Sequence, residues 1–448
     1  HSMPEAEKRK DEKLSFDVIV VGAGLAGGTA ATICARNGLK VALIERGQNP
    51  GGKNYFGGTV YTHALEEIFP DFWSRTPPLE RPATEAGYWF LSKTGLTRIM
   101  VDGGELDKKP SDAYIGMMAK FCGWWIAQAQ SEGVFLIPKT LVVDFIRDGN
   151  GRIIGVQTDR PDGEIYAPVT IICEGVNNLL TQKAGLIDHD LQPETVALAV
   201  KQLISLPTET INARFGLPDA EHGMAVSVLG DISLGVTGLG FIYTCKDSVS
   251  LGVGVDLDQL DNHHIRPYDL MQNFLRHPQI APLVAGGQML EYGGHLIPEG
   301  GWSQMPKLYG DGVLVAGDAA AMVNALHWEG TNMATIAGKL AGEAAVEAHK
   351  RKDFSAETLK VYQQKLKDSF ILKDLYQYRK FSHFLNTHHD FMDVYPNFLN
   401  DALGKFFTGF GKPKKQLYKG ILESLTSRKP LLKAVGDIVS FGRTITGW

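Results

Sequence analysis

Residues 16–45 read FDVIVVGAGLAGGTAATICARNGLKVALIE. The opening FDVIVV is short, apolar and rich in β-branched residues, as expected of a strand buried on both faces of a parallel sheet. Gly22-Ala23-Gly24-Leu25-Ala26-Gly27 follows as a G-x-G-x-x-G. An alanine-rich helical pattern then runs to about Asn37, with Gly38 placed to stop it. A second strand, Val41-Ala42-Leu43-Ile44, ends on Glu45, 18 residues after Gly27. Each part has a chemical task. Gly22 permits the tight turn, Gly24 lets the backbone approach a pyrophosphate, and Gly27 lets helix pack closely on strand. Unpaired N–H groups and the dipole at the helix N-terminus favour the phosphates. Glu45 can accept hydrogen bonds from a ribose. Together they predict a dinucleotide-binding βαβ unit.

Two later stretches say which dinucleotide. Residues 311–341, DGVLVAGDAAAMVNALHWEGTNMATIAGKLA, read as a buried strand running into Gly317-Asp318. Further on, Glu329-Gly330-Thr331-Asn332-Met333 opens an alanine-rich helix. Residues 168–178, PVTIICEGVNN, read as a strand ending in Cys173-Glu174-Gly175, with Cys173 a small core residue. The order resembles FAD proteins of the glutathione-reductase type. There the strand-Gly-Asp element holds the ribityl and pyrophosphate region, and the helix after it points its N-terminus at the flavin ring. Flavin hydroxylases commonly carry Asp-Gly where Glu174-Gly175 stands here, a departure that counts against an NADPH-dependent hydroxylase.

Finer motifs narrow the resemblance. They are Pro50-Gly51-Gly52-Lys53-Asn54, Gly57-Gly58, Ala64-Leu65-Glu66, Ile68-Phe69-Pro70-Asp71, Leu326-His327-Trp328-Glu329-Gly330-Thr331-Asn332-Met333 and Leu372-Lys373-Asp374-Leu375. Over roughly residues 16–400 the chain resembles the FixC/EtfC subunits of membrane-associated Fix/Etf complexes. These belong to the FAD family of electron-transfer-flavoprotein:quinone oxidoreductases and geranylgeranyl reductases. The resemblance implies an α/β fold: a glutathione-reductase-type FAD-binding Rossmann domain, interleaved with an α+β antiparallel-sheet substrate domain and followed by a helical C-terminal region. The expected boundaries are 14–189 and 306–350 for the FAD domain, 190–305 for the substrate/quinone domain, and 351–448 for the helical region. It further implies electron transfer from an electron-transfer flavoprotein to a membrane quinone, assisted by a ferredoxin-like iron-sulfur subunit. Rival readings are a geranylgeranyl (prenyl) reductase and a non-catalytic flavoprotein membrane adapter. The cofactor-binding set is Gly22, Ala23, Gly24, Leu25, Ala26, Gly27, Glu45, Arg46, Lys53, Asn54, Gly57, Gly58, Val142, Cys173, Glu174, Gly175, Gly317, Asp318, Gly330, Thr331, Asn332 and Met333.

Quinone reduction needs two protons, so His327 and Glu329, just before the flavin-facing helix, are the candidate proton relay. The alternative is that both only hydrogen-bond their loop. Phe241, Tyr292 and Trp302 are candidates to line a quinone or prenyl channel, with core packing the alternative. The adjacent pairs His263-His264 and His388-His389 point apart on any regular element, so no metal site is expected. Cys34, Cys122, Cys173 and Cys245 lie 88, 51 and 72 residues apart, without the short spacing of a zinc or iron-sulfur set. Clusters are held chiefly by thiolates and residues 246–448 contain no cysteine, so the cluster is expected on a separate partner.

Composition sets the outer limits. Glycine is 50 of 448 residues, about 11% against a usual 7%, without a collagen-like period. The net charge of -5 excludes a chain-wide nucleic-acid footprint. It is unevenly spread, +7 over residues 402–448 and -12 over the rest. That tail interleaves lysines with Phe406, Phe407, Phe410, Tyr418, Leu431, Leu432, Phe441 and Trp448, suiting either an interfacial membrane anchor or a docked helical cap. No run reaches the roughly 18 apolar residues of a spanning helix. His1-Ser2-Met3 resembles a tag remnant, and no secretory signal follows. The expected location is the inner face of the cell membrane, peripherally attached from the cytoplasm.

Overall fold

The computed structural model describes residues 13–52, 57–409 and 411–447. Val18–Val21 pairs in parallel with Val41–Ile44 on one side and Val169–Ile172 on the other, and all twelve residues are buried. Phe135–Ile137 and Val313–Val315 extend the parallel sheet, and Tyr309–Gly310 closes one edge in the antiparallel sense. The first helix runs Leu25–Arg36, capped by Asn37, and Gly38 takes the left-handed conformation at φ 81°. The sequence expectation for residues 16–45 therefore holds element by element.

A long helix, Thr331–Arg351, lies against the first. The approach is so close that a Cβ on Gly338 would stand 2.2 Å from the Ala26 carbonyl oxygen. One on Gly342 would stand 2.9 Å from that of Ala30. Small residues at this crossing bring both helix N-termini to one place beside the parallel sheet.

A nine-stranded sheet faces them. Its order is Gln288–Pro298, Val196–Ser205, Ser248–Asp256, Gly238–Thr244, Gly223–Gly230, Leu79–Leu91, Ala113–Met117, Gly57–Tyr61, with Leu96–Asp102 folded back on Leu79–Leu91. Within 190–305, Val196–Ser205, Ser248–Asp256, Gly238–Thr244 and Gly223–Gly230 pair antiparallel in that order, as the expected substrate domain requires. The predicted domain boundary needs correcting. Strands between 57 and 117, assigned to the FAD domain, join this second sheet, and Leu79–Leu91 pairs in parallel with Gly223–Gly230. Arg81, with no exposed surface, fastens the junction. Its guanidinium donates to the carbonyls of Cys245 (2.6 Å), Asp219 (2.9 Å) and His222 (3.1 Å) and to the Asn212 side chain (2.6 Å).

The C-terminal region is helical as expected, ending in Val394–Thr408, Lys414–Arg428 and Leu431–Thr446. Pro413 and Pro430 cap the last two helices. Pro396 lies in the first turn of Val394–Thr408, where its missing N–H has no partner to lose. Among the described residues no helix is long and apolar enough to cross a membrane.

Candidate active site

One cavity of about 1680 Å³, its open mouth included, runs from the two helix N-termini to the face of the nine-stranded sheet. At the helix end it is lined by Gly24, Leu25, Ala26 and Gly27, by Gly317 and Asp318, and by Gly330 and Thr331. Neither helix has a side-chain cap or an acid in its first turn, so their N–H groups and dipoles are left to an anionic ligand. At two of the three glycines of the first turn no side chain fits. A Cβ on Gly22 would meet the Cys173 carbonyl oxygen at 2.0 Å, and one on Gly27 the Gly22 carbonyl oxygen at 1.8 Å. A Cβ on Gly24 would meet no atom of the described residues within 4 Å, and this open space is the one a pyrophosphate would take.

The wall also contains polar atoms with no partner of their own. Thr59 Oγ1 and Asn324 Oδ1 are buried there without a hydrogen bond among the described residues. Asp318 faces the cavity, and burial pushes its carboxyl up to about 6. Uncapped helix ends, orphaned donors and acceptors, and a glycine cradle fit FAD at this end.

The predicted residues divide. Gly57, Cys173 and Gly175 join the lining, and Gly58 is buried in the strand beside it. Glu45 ties the turn together, its carboxylate accepting from the Ala23 N–H (3.0 Å) and the Gly47 N–H (2.6 Å). Both oxygens retain capacity for a ribose. Arg46 is exposed beside it. Met333 is fully buried core. Val142 opens the strand Val142–Arg147 of a separate three-stranded sheet and lies outside the cavity wall. Glu174 also points elsewhere. Its carboxylate caps the helix Leu179–Lys183, accepting from the Leu180 N–H (2.9 Å) and from the Thr181 N–H and hydroxyl (2.8 Å each). Lys53 and Asn54 lie outside the described residues.

The loop before the long helix is closed on itself, with Asn324 and Glu329 exchanging backbone hydrogen bonds at 2.8 and 3.1 Å. This puts Glu329 and Trp328 in the cavity wall and His327 outside it. His327 is exposed, its ring 4.8 Å from that of Tyr378. Glu329 receives the Asn332 amide at 2.9 Å. Of the three channel aromatics only Phe241 lines the cavity. Tyr292 is 38% exposed on the edge strand, and Trp302 packs on Tyr376 at 5.1 Å.

At the sheet end the wall carries groups that the sequence reading missed: Lys201, Tyr243, His295 and Glu299. Lys201 is buried and 3.3 Å from Glu291. Desolvation lowers its pKa, and desolvation with the nearby Lys201 charge lowers that of His295. A lysine directly after the apolar run Val196-Ala197-Leu198-Ala199-Val200 was the available signal. The histidine pairs are structural at 388 and 389, where His388 stacks on Phe384 and His389 meets the Thr237 hydroxyl at 2.6 Å. Among the described residues no three Cys, His, Asp or Glu side chains gather as a ligand set. Burial pushes the thiols of Cys34, Cys122 and Cys245 up to about 12.

Three family profiles match the chain: "FAD dependent oxidoreductase" over residues 17–182, "ETF-QO, ubiquinone-binding" over 217–297, and "ETF-QO/FixC family C-terminal domain" over 381–446. Protein FixC of Bradyrhizobium diazoefficiens is 39% identical, over 96% of this chain and 98% of its own. Protein FixC of Azotobacter vinelandii is 41% identical, over 96% and 99%. A probable electron transfer flavoprotein-quinone oxidoreductase of Escherichia coli, YdiS, is 35% identical, over 91% and 94%. Among solved structures, a geranylgeranyl bacteriochlorophyll reductase-like protein of Thermoplasma acidophilum superposes with a TM-score of 0.71 over 95% of this chain and 100% of that one. At 19% identity that likeness is one of fold. With near-complete alignments to several relatives and a dinucleotide cradle built as the fold requires, the chain belongs to the ETF-QO/FixC family of FAD-dependent oxidoreductases.

Proposed function

We propose that this protein takes electrons from an electron-transfer flavoprotein, assisted by a ferredoxin-like iron-sulfur partner, and passes them to a membrane quinone. The observation that carries the reading is the continuity of the cavity. Its far wall, with Ser227, Leu239, Phe241, Tyr243, His295 and Ile297, falls within the segment matched by the ubiquinone-binding profile. Its near wall is the FAD cradle. FAD bound there would supply the redox chemistry. The chain's own residues do the rest. Gly24–Gly27 would hold the phosphates and the N-terminus of Thr331–Arg351 would face the flavin ring, while Glu45 braces the glycine turn and Lys201 places a cation in the far wall. The partners and the location on the cytoplasmic membrane face rest on kinship, and the exposed basic and apolar C-terminal helices support a lipid contact.

The test is anaerobic. The FAD-loaded protein is offered its reduced iron-sulfur partner and then a quinone analogue while the flavin absorbance is followed. Bleaching by the partner and recovery with the quinone are expected. Bleaching by NADPH alone, with no response to the partner, would overturn the reading.

A further inference from the structure

Glu299 follows the edge strand Gln288–Pro298 and stands in a wall between two spaces. On one side is the main cavity. On the other is a smaller pocket lined by Trp302, Leu375, Tyr378, Arg379 and Ser382. Four residues line both spaces, and the other three are Val323, Asn324 and Ala325. Glu299 is thus the ionisable member of the partition. Its backbone is pinned from two directions, the N–H donating to the Thr195 carbonyl at 2.9 Å and the carbonyl accepting from the Ser382 hydroxyl at 2.8 Å.

The carboxyl of Asp256, at the end of the strand Ser248–Asp256, is the acidic neighbour of Glu299, brought near by Val196–Ser205, which pairs with both strands. Neighbouring carboxyls repel each other when both are ionised, which favours a proton on one of them. No cation among the described residues competes for the pair. Lys201 is paired with Glu291, and Arg379 lies over the Tyr376 ring at 3.8 Å and donates to the Tyr376 carbonyl at 2.6 Å. Other titratable groups around the pair are Asp258 beside Asp256, Tyr378 in the outer pocket, and Tyr243, His295, Asp318 and Glu329 in the wall of the main cavity, with the thiols of Cys122 and Cys173.

We propose that Glu299 delivers protons from the outer pocket to the electron acceptor in the main cavity, with Asp256 as the positioning residue that keeps the proton on Glu299 between deliveries. This deepens the quinone reading and rests on it. A quinone gains two electrons, supplied by the family's own redox activity, and two protons. In each delivery the O–H bond of the Glu299 carboxyl breaks and an O–H bond forms on a quinone oxygen. The carboxylate left behind regains a proton from water through the outer pocket and repeats the transfer at the second oxygen. Burial first, and the neighbouring Asp256 second, raise the pKa of Glu299 well above the usual carboxylate range, so it holds a proton at neutral pH.

Glu299→Gln and Asp256→Asn test this in the FAD-loaded protein with two readouts. The first is the infrared C=O band of a protonated carboxyl. The wild type shows it at neutral pH and loses it in alkaline buffer, Glu299→Gln lacks it, and Asp256→Asn loses it at lower pH. The second is reoxidation of the photoreduced protein by a quinone analogue and by ferricyanide, which takes electrons without protons. In Glu299→Gln the rate with quinone falls about 10-fold or more beyond any fall with ferricyanide, and the alkaline decline of the wild type disappears. A wild type without the band at neutral pH, or a Glu299→Gln protein with equal losses for both acceptors, overturns the proposal. A wild type that keeps the band and reduces ferricyanide but no quinone overturns the acceptor assignment, and the delivery falls with it.

Discussion

Gly24 and Gly27 are three residues apart on the same turn, yet a methyl group at each should do different damage. At Gly27 the methyl would sit 1.8 Å from the Gly22 carbonyl oxygen, so helix and strand must separate. Gly27→Ala should cost about 3 kcal/mol of stability, read as a lower urea midpoint, and should lose FAD as a consequence. At Gly24 no described atom lies within 4 Å and the backbone is extended at φ -91°, ψ -163°, which alanine adopts without strain. Gly24→Ala should therefore unfold like the wild type while its FAD affinity falls at least about tenfold, measured by cofactor retention on gel filtration. A Gly24→Ala protein that retains FAD normally would remove the pyrophosphate from this space. These two residues were legible in the sequence because their constraints are local. Glu174 was not. Its position after a strand suggested a ligand role, but the helix it caps begins five residues later and was not recognised.

Elements were legible wherever their pattern is self-contained: the strand-helix-strand of residues 16–45, the strand into Gly317-Asp318, and the long helix after Gly330. Partnership between distant elements was not. An apolar run announces a strand but does not say which sheet takes it, so the strands between 57 and 117 were misassigned. The carboxyl pair shows the same limit. Asp256 and Glu299 meet because Val196–Ser205 pairs with both of their strands, setting Ala197 opposite Asp256 and Val196 opposite Pro298. A comparable long-range tie fastens the last helix, where the Lys429 ammonium is held between Asp390 and Asp437, and the Tyr395 hydroxyl donates to Asp437 at 2.6 Å. Burial alone would raise the pKa of Asp437, but the bonds from Lys429 and Tyr395 outweigh it and hold the carboxyl below its ordinary range. A depressed carboxyl contributes stability that is present at neutral pH and is lost as pH falls through the lowered value. Asp437→Asn should remove about 2 kcal/mol of docking at neutral pH. Hydrogen exchange over residues 431–446 should then be faster at neutral pH and converge with the wild type in strong acid. Equal exchange at neutral pH would assign the docking to the aromatic contacts of Phe441 with Phe384 and Phe391.

At the scale of the whole molecule, the uneven charge acquires a shape. The last helix buries Ala434 and Thr444 against the body and leaves Leu432 88% and Ile438 65% exposed. Phe407, on the helix Val394–Thr408, is 78% exposed. Lys412, Lys414, Lys415 and Lys419 are exposed nearby in sequence. The tail is therefore both docked and greasy: one face packs on the body, and the other leaves apolar and basic side chains exposed. Apolar insertion and attraction to anionic lipid would add. Each lysine near a charged bilayer contributes about 1 kcal/mol. Reversing these four lysines to glutamate should thus lower affinity for anionic vesicles by more than about 100-fold, with little change on zwitterionic vesicles. Leu432→Glu with Phe407→Glu should weaken binding to both. Flotation at low and high salt distinguishes the contributions, because screening suppresses only the electrostatic one. Binding that is insensitive to salt and survives both sets of substitutions would place the membrane contact on another surface.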